Sequence, residues 1–176
     1  CMYWNASEEN LVGADSASAK ALELAPGLAD SHVSRGLYYF ARRENPEAIV
    51  EFETALRLNP ELFEAYYFYA RVRFQRSELN EAAALFEKAE RIRPDDFQTP
   101  IFLRQIYRSL GREEEAKAAA ERGLKGAQQR LELYPDDTRA LNLGCAALIE
   151  KGDRDPAMQC ADRSLAIDGV NRETVY

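Results

Sequence analysis

Histidine, cysteine and clustered carboxylates are the side chains through which this sequence could support catalysis or bind a metal. His32 is the single histidine, and no nucleophile motif accompanies it. Cys1, Cys145 and Cys160 form no CxxC pair, although Cys145 and Cys160 fall in one predicted hairpin, which leaves a bridge between them open. This scatter does not match the ligand spacing of a zinc site. We therefore expect no catalytic residue, no metal and no cofactor, and predict that the chain is not an enzyme.

The carboxylate clusters are better explained by helix ends than by acid–base chemistry. The segment REEEA at 112–116 places negative charge where a helix N-terminus favours it. The PDD segments that begin at Pro94 and Pro135 place aspartates where they can cap the following helix. The sequence contains neither a P-loop nor a GxGxxG motif.

Charge and hydropathy exclude two classes of partner. The 176 residues include 30 acidic and 23 basic side chains, for a net charge of −7, without a basic run. Nucleic acids and anionic membrane surfaces are bound through clustered Lys and Arg, so we expect neither as a partner. No segment reaches the roughly 20 apolar residues that span a bilayer. We expect a cytoplasmic protein, and because Cys1 is not a natural initiator, a removed leader stays open.

The elements that would position a binding residue follow a repeat of 34 residues. Pro26, Pro60 and Pro94 recur at this spacing, and Pro135 follows 41 residues later, seven more than the period. An alanine column shares the period and the same shift: Ala14, Ala48, Ala82, Ala116 and Ala157. Two helices approach closely only where small side chains recur, so each repeat predicts an antiparallel helix hairpin.

These columns resemble the tetratricopeptide repeat family. The resemblance is carried by the small–aromatic pair Gly36 and Tyr39, by Phe52 between two alanines, and by Pro60, each recurring in modified form. It implies an all-α fold, a right-handed superhelical solenoid of antiparallel helix hairpins with a concave groove lined by the first helix of each hairpin. Arg73 and Arg104 depart from the family pattern, and we expect each to reach solvent or an acidic partner.

The period predicts a single domain of about four repeats with partial repeats at both ends. The repeats are a partial one at 1–28, full ones at 29–62, 63–96, 97–137 and 138–171, and the start of another at 172–176. We expect the fourth hairpin to end near Asp168. The cut repeats indicate a fragment of a longer array.

The seven extra residues of the 97–137 repeat lie between Gly123 and Pro135 and add about two helical turns. They predict a helix from Glu113 to Leu133 whose distal part, from Lys125, projects beyond its neighbours. A break at Gly126 is the alternative, because glycine inside a helix costs about 1 kcal/mol.

The resemblance also implies which side chains line the groove. The predicted partner-binding residues are Val33, Leu37, Phe40, Glu64, Tyr67, Arg71, Phe74, Ile101, Gln105, Arg108, Arg139 and Asn142. Aromatic and arginine side chains are enriched at interface hot spots. We therefore predict a scaffold that binds a peptide or helix of a partner protein, with apolar anchors and an acidic flank.

Two other functions stay open at this point. Uncapped ends would expose apolar hairpin faces, and stacking them end to end would make a homo-oligomer. The sequence is also similar in style to bacterial arrays attached to nucleotide cyclases, kinases or transcription regulators, which would make it a regulatory module of a larger signalling protein.

Overall fold

The computed structural model describes residues 8–173, and there the chain forms nine α-helices without a strand. The helices are α1 (Glu8–Leu24), α2 (Ala29–Ala41), α3 (Asn45–Leu58), α4 (Phe63–Gln75), α5 (Leu79–Ile92), α6 (Gln98–Ser109), α7 (Glu113–Leu133), α8 (Thr138–Lys151) and α9 (Arg154–Glu173). The predicted all-α helical-repeat fold is confirmed.

The helices pair as successive hairpins within two compact units, Cys1–Ile92 and Arg93–Tyr176. In the first unit α2 packs on α3 and α4 packs on α5, while α1 covers α2 and α3 contacts α4. In the second unit α6 packs on α7 and α8 packs on α9, with α7 against α8. The four hairpins begin at Ala29, Phe63, Gln98 and Thr138, within one residue of the predicted starts.

Small residues allow the helices of each hairpin to approach closely, as predicted. Six alanines on α3, α4, α5 and α7 are buried: Ala48, Ala55, Ala70, Ala82, Ala89 and Ala116. A Cβ atom added to Gly36 would lie 2.7 Å from the ring of Phe52, which is fully buried. The large side chains Phe52, Phe86 and Leu103 fill the space that remains.

Each hairpin turn passes through one residue in the left-handed conformation. These residues are Arg43, Ser77, Gly111 and Gly152, with φ of 62°, 62°, 73° and 88°. In the first unit the turn residue is flanked by an ion pair, Arg42 to Glu44 and Arg76 to Glu78, each at 2.7 Å. The hairpin turns therefore differ between the units. In the first unit the residue with positive φ is not glycine and is flanked by an Arg–Glu ion pair, whereas in the second unit that residue is glycine.

The long helix α7 confirms one prediction and corrects another. It runs without a break from Glu113 to Leu133, so the alternative of a break at Gly126 is wrong. Its distal part does not project. Ala127 is buried in a cluster with Phe97 and Ala140, and a Cβ at Gly126 would lie 3.0 Å from the Cβ of Phe97. The extra turns provide packing surface for α8, which holds them against the unit.

The last helix is longer than predicted. Helix α9 continues past Asp168 to Glu173, because Gly169 occupies the position where the earlier repeats carry a helix-ending proline, and glycine keeps its backbone N–H. Arg172 therefore belongs to α9 rather than to the start of a further repeat. The predicted helix tail at 1–7 and residues 174–176 lie outside the described residues.

Candidate partner-binding surface

In the first unit, an arginine on α4 lies among three aromatic rings. The guanidinium carbon of Arg71 is 5.3 Å from the ring centroid of Phe40 on α2, and 6.0 Å and 5.7 Å from the rings of Tyr67 and Phe68 on α4. Helices α2 and α4 are in contact, which brings Phe40 to Arg71. We call Phe40, Tyr67, Phe68 and Arg71 the Arg71 cluster.

The Arg71 cluster removes much of the water from a guanidinium group that stays charged. Burial lowers the pKa of Arg71, and the neighbouring Tyr67 partly offsets this effect. Arginine remains protonated even so. Each cation–π contact stabilises the charge by about 0.5–2 kcal/mol, depending on how dry the site is. A carboxylate brought to this guanidinium would form charge-assisted hydrogen bonds in a site with little competing water.

Two of the predicted groove residues lie beneath this surface. Val33 is buried in the core of the first unit. Tyr67 is also buried, with ring centroids 5.5 Å from Phe63, 5.2 Å from Phe68 and 5.7 Å from Phe86. These side chains support the surface from within. The partly exposed predicted residues of this unit are Leu37, Phe40, Glu64, Arg71 and Phe74.

An apolar cleft of about 440 Å³ lies between α1 and α2 in the same unit. Its lining includes Leu11, Ala14, Ala21, Leu37 and Tyr38. Leu37 is the predicted groove residue that belongs to it. The small side chains of α1 leave the cleft open, so it has room for an apolar side chain of a ligand.

The second unit carries a polar cleft of about 590 Å³ along α6. It is lined by Arg104, Gln105, Arg108 and Ser109, together with Glu113 of α7. Gln105 and Arg108 were predicted to line the groove. From the sequence, Arg104 is only a departure from the family pattern. In the structure its side chain lines the same cleft as Gln105 and Arg108.

Ile101 is not part of that cleft surface. It is buried, and a Cβ at Gly123 of α7 would lie 2.7 Å from its Cγ1 atom. The side chain is therefore packed in the α6–α7 hairpin. Arg139 and Asn142 on α8 are exposed, and the Asn142 side-chain oxygen accepts a hydrogen bond from the Ser164 hydroxyl of α9 at 2.8 Å.

The imidazole of His32 lies within hydrogen-bond distance of a partner at each ring nitrogen. Its Nδ1 atom lies 2.7 Å from a carboxylate oxygen of Glu51 on α3, and its Nε2 atom lies 3.0 Å from the carbonyl oxygen of Pro26. These contacts connect the turn before α2 to α3.

A tyrosine–arginine pair occurs in both hairpins of the first unit with its members exchanged. Arg35 donates to the Tyr39 hydroxyl at 3.1 Å, and one repeat later Arg73 donates to the Tyr69 hydroxyl at 2.6 Å. Arg73 also donates to Glu78 at 2.5 Å, so it reaches an acidic partner as predicted. The exchange keeps one hydroxyl–guanidinium contact per hairpin, and the sequence columns taken singly do not reveal it.

The aspartates of both PDD segments cap helices, as predicted. Asp137 accepts hydrogen bonds from the backbone N–H groups of Arg139 and Ala140, each at 3.1 Å. Asp96 accepts one from the backbone N–H of Thr99 at 2.7 Å. Among the side chains that the structure describes in residues 8–173, no three of His, Cys, Asp or Glu are arranged to hold a metal ion. In the same range no helix combines the length and apolar character needed to cross a membrane.

Comparisons with known proteins agree with this geometry. Two family models described as tetratricopeptide repeat match residues 33–97 and 105–126. No curated protein sequence matches the chain.

Solved structures with the same fold include MamA, with a TM-score of 0.61 and 22% identity over 96% of this chain and 94% of that one. YrrB, a TPR protein with an unusual peptide-binding site, has a TM-score of 0.58 and 19% identity over 86% of this chain and 92% of its own. Pseudomonas aeruginosa PilF has a TM-score of 0.66 and 19% identity over 90% of this chain and 69% of its own. At these identities the likeness shows the fold alone. The two family models therefore identify tetratricopeptide repeats at residues 33–97 and 105–126 of the chain.

Proposed function

We propose that the chain is a protein-interaction scaffold whose Arg71 cluster binds a peptide or helix that carries an acidic residue beside apolar anchors. The tetratricopeptide repeats at residues 33–97 and 105–126 support an interaction scaffold in general terms. The observation that carries the specific proposal is the guanidinium of Arg71 within 5.3–6.0 Å of three aromatic rings.

The composition of the cluster favours an acidic contact flanked by apolar ones. Aromatic and arginine side chains supply most of the binding energy at typical hot spots. The partly dehydrated guanidinium of Arg71 offers a planar fork that matches a carboxylate. The chain as a whole carries a charge of −7, so its long-range field does not attract an acidic ligand. Recognition therefore depends on direct contact with Arg71.

The apolar anchors have a matching site in the same unit. The cleft between α1 and α2 includes Leu37, and Phe40 of the Arg71 cluster follows three residues later on α2. Residues three apart on a helix lie on one face. A ligand that runs along α2 can therefore place an apolar side chain in the cleft and a carboxylate at Arg71.

The second unit offers a separate acidic-residue site. Arg104 and Arg108 are one helical turn apart on α6 and line one cleft with Gln105 and Ser109. The two guanidinium groups outweigh the single carboxylate of Glu113 in this cleft, which favours a ligand carboxylate. We propose that this cleft binds an acidic segment of a ligand, independently of the Arg71 cluster.

Selection of peptides on the purified full chain tests the proposal. A displayed random-peptide library should enrich sequences with Asp or Glu close to apolar residues. For a selected peptide, Arg71→Ala is expected to raise the Kd by about tenfold or more, which corresponds to about 1.4 kcal/mol. Arg71→Lys should give an intermediate Kd, because lysine keeps the charge but lacks the planar fork.

The matched control is Arg91→Ala, which removes the same charge from an exposed position at the end of α5 in the same unit. It should leave the Kd within about twofold, as expected for a charge outside the contact. Circular dichroism checks that each variant is folded. Equal affinity of the Arg71→Ala and Arg91→Ala variants, or enrichment of peptides without acidic residues, would refute the Arg71 cluster as the binding site.

We propose self-association as a second candidate function. Met158 and Leu165 lie two helical turns apart on α9 and are 65% and 70% exposed. Burying both against a second copy would remove an apolar stripe from water. Sedimentation of the full chain over a range of concentrations should then show an oligomer that the Met158→Lys, Leu165→Lys double variant loses. A monomer at every concentration would exclude this function.

A further inference from the structure

The α8–α9 hairpin of the second unit brings two cysteine side chains together. Asn142 on α8 is bonded to Ser164 on α9 at 2.8 Å. Three residues further along α8 lies Cys145, and four residues back along α9 lies Cys160. Each step is about one turn in the matching direction of two antiparallel helices, so the Asn142–Ser164 bond fixes Cys145 opposite Cys160.

The contacts of the two thiols agree with this register. Both cysteines are free, with Cys145 buried and Cys160 partly exposed. The Cys160 thiol lies 3.1 Å from the carbonyl oxygen of Leu141, one turn before Cys145. The small residues Gly144 and Ala157 are buried beside them, and such residues allow the two helix backbones to approach.

We propose that Cys145 and Cys160 form a reversible disulfide that fastens α8 to α9 when hydrogen peroxide is present. This device goes beyond the proposed binding function, because it acts on the second unit and needs neither a peptide nor the Arg71 cluster. Cys1 takes no part in it.

The order of the two steps follows from exposure. The thiol of Cys160, the more exposed of the two, loses its proton, and the thiolate sulfur attacks one oxygen of hydrogen peroxide. The O–O bond breaks, the hydroxide that is released takes up that proton and leaves as water, and Cys160 becomes a sulfenic acid. The sulfur of Cys145 then attacks the sulfur of Cys160. The S–O bond breaks, and the hydroxyl group leaves as a second water with the proton of the Cys145 thiol. Two thiols are oxidised by two electrons and the peroxide is reduced to two waters.

The buried thiol is protected from reacting alone. Burial, together with the neighbouring Cys160 thiol, raises the pKa of Cys145 to about 12, so this thiol stays protonated at neutral pH. A thiol in this state reacts slowly with oxidants in solution. The same basicity makes it a poor leaving group, which favours persistence of the disulfide once formed.

Oxidation of the reduced full chain with hydrogen peroxide, followed by peptide mapping under non-reducing conditions, tests the proposal. The expected product is one peptide pair that joins Cys145 to Cys160, with the loss of two hydrogen atoms, reversed by dithiothreitol. Closing this short loop should raise the thermal midpoint by about 5–10 °C. The Cys1→Ser variant should behave like the wild type, whereas Cys145→Ala and Cys160→Ala should show neither the link nor the shift.

Three results would overturn the proposal: Cys160 oxidised to sulfinic acid without a link to Cys145, a link that joins two chains, or an internal link without a higher thermal midpoint. If Cys145→Ala does not fold, the map of the Cys1→Ser variant decides the outcome, because that variant leaves both hairpin cysteines in place.

Discussion

Replacing Gly36 with alanine is expected to lower the free energy of unfolding of the first unit by about 2 kcal/mol, which is typical of overpacking in a filled core. The added Cβ would lie 2.7 Å and 2.9 Å from two ring carbons of Phe52, closer than carbon atoms approach. The ring has no room to withdraw, because Phe52 is fully buried between the hairpins of this unit. The clash outweighs the gain of about 1 kcal/mol that alanine normally brings to a helix.

Gly13 provides the matched control, because it lies inside α1 of the same unit with nothing within 4 Å of an added Cβ. Gly13→Ala should therefore stabilise the unit by up to about 1 kcal/mol. Combining Gly36→Ala with Phe52→Leu should cost less than the two single changes added together, since the smaller side chain relieves the clash. Urea unfolding followed by circular dichroism measures all four variants. Stabilisation by Gly36→Ala would mean that α2 and α3 do not approach as closely as described.

The repeat columns predicted the helices because each column has one physical cause. Prolines such as Pro60 cannot continue a helix, and alanines such as Ala48 mark where two helices meet, so period and helix limits can be read from the sequence. The turns were less readable. Arg43 and Ser77 adopt the left-handed conformation without being glycine, and only the flanking Arg–Glu pairs, visible two residues apart in the sequence, could have indicated them.

The candidate surface was predicted less well than the fold. The spacing of residues along a helix predicts which face a side chain lies on, but it does not predict whether that side chain is buried. Counting along the first helices put Tyr67 and Ile101 on the groove, yet both are buried. Ile101 is buried because Gly123 has no side chain, and the isoleucine fills the space that is left in the hairpin. For Tyr67 the reason is three neighbouring rings. The burial of a side chain depends on the space that the side chains of the facing helix leave unfilled. A single column of the repeat does not show that space.

The second prediction with a large expected effect on stability concerns the distal part of α7. If it projected from the unit, as the extra seven residues suggested, a charged side chain at 127 would be harmless. Ala127 instead packs with Phe97 and Ala140, and the neighbouring residues Leu131 and Leu143 cover this cluster. Ala127→Glu is therefore expected to lower the free energy of unfolding of the second unit by about 3–5 kcal/mol, because a carboxylate would lose its water among apolar side chains.

Gln128→Glu separates burial from charge in this test. It adds the same charge one residue further along α7, where the side chain is exposed, and a surface change of this kind should alter stability by less than about 0.5 kcal/mol. Urea unfolding of both variants, followed with a spectroscopic probe in the second unit, gives the difference between their free energies of unfolding. Equal stability would mean that the last two turns of α7 extend into solvent. A large loss of stability in Ala127→Glu, without one in Gln128→Glu, would show that the helical turns added by the insertion pack against α8.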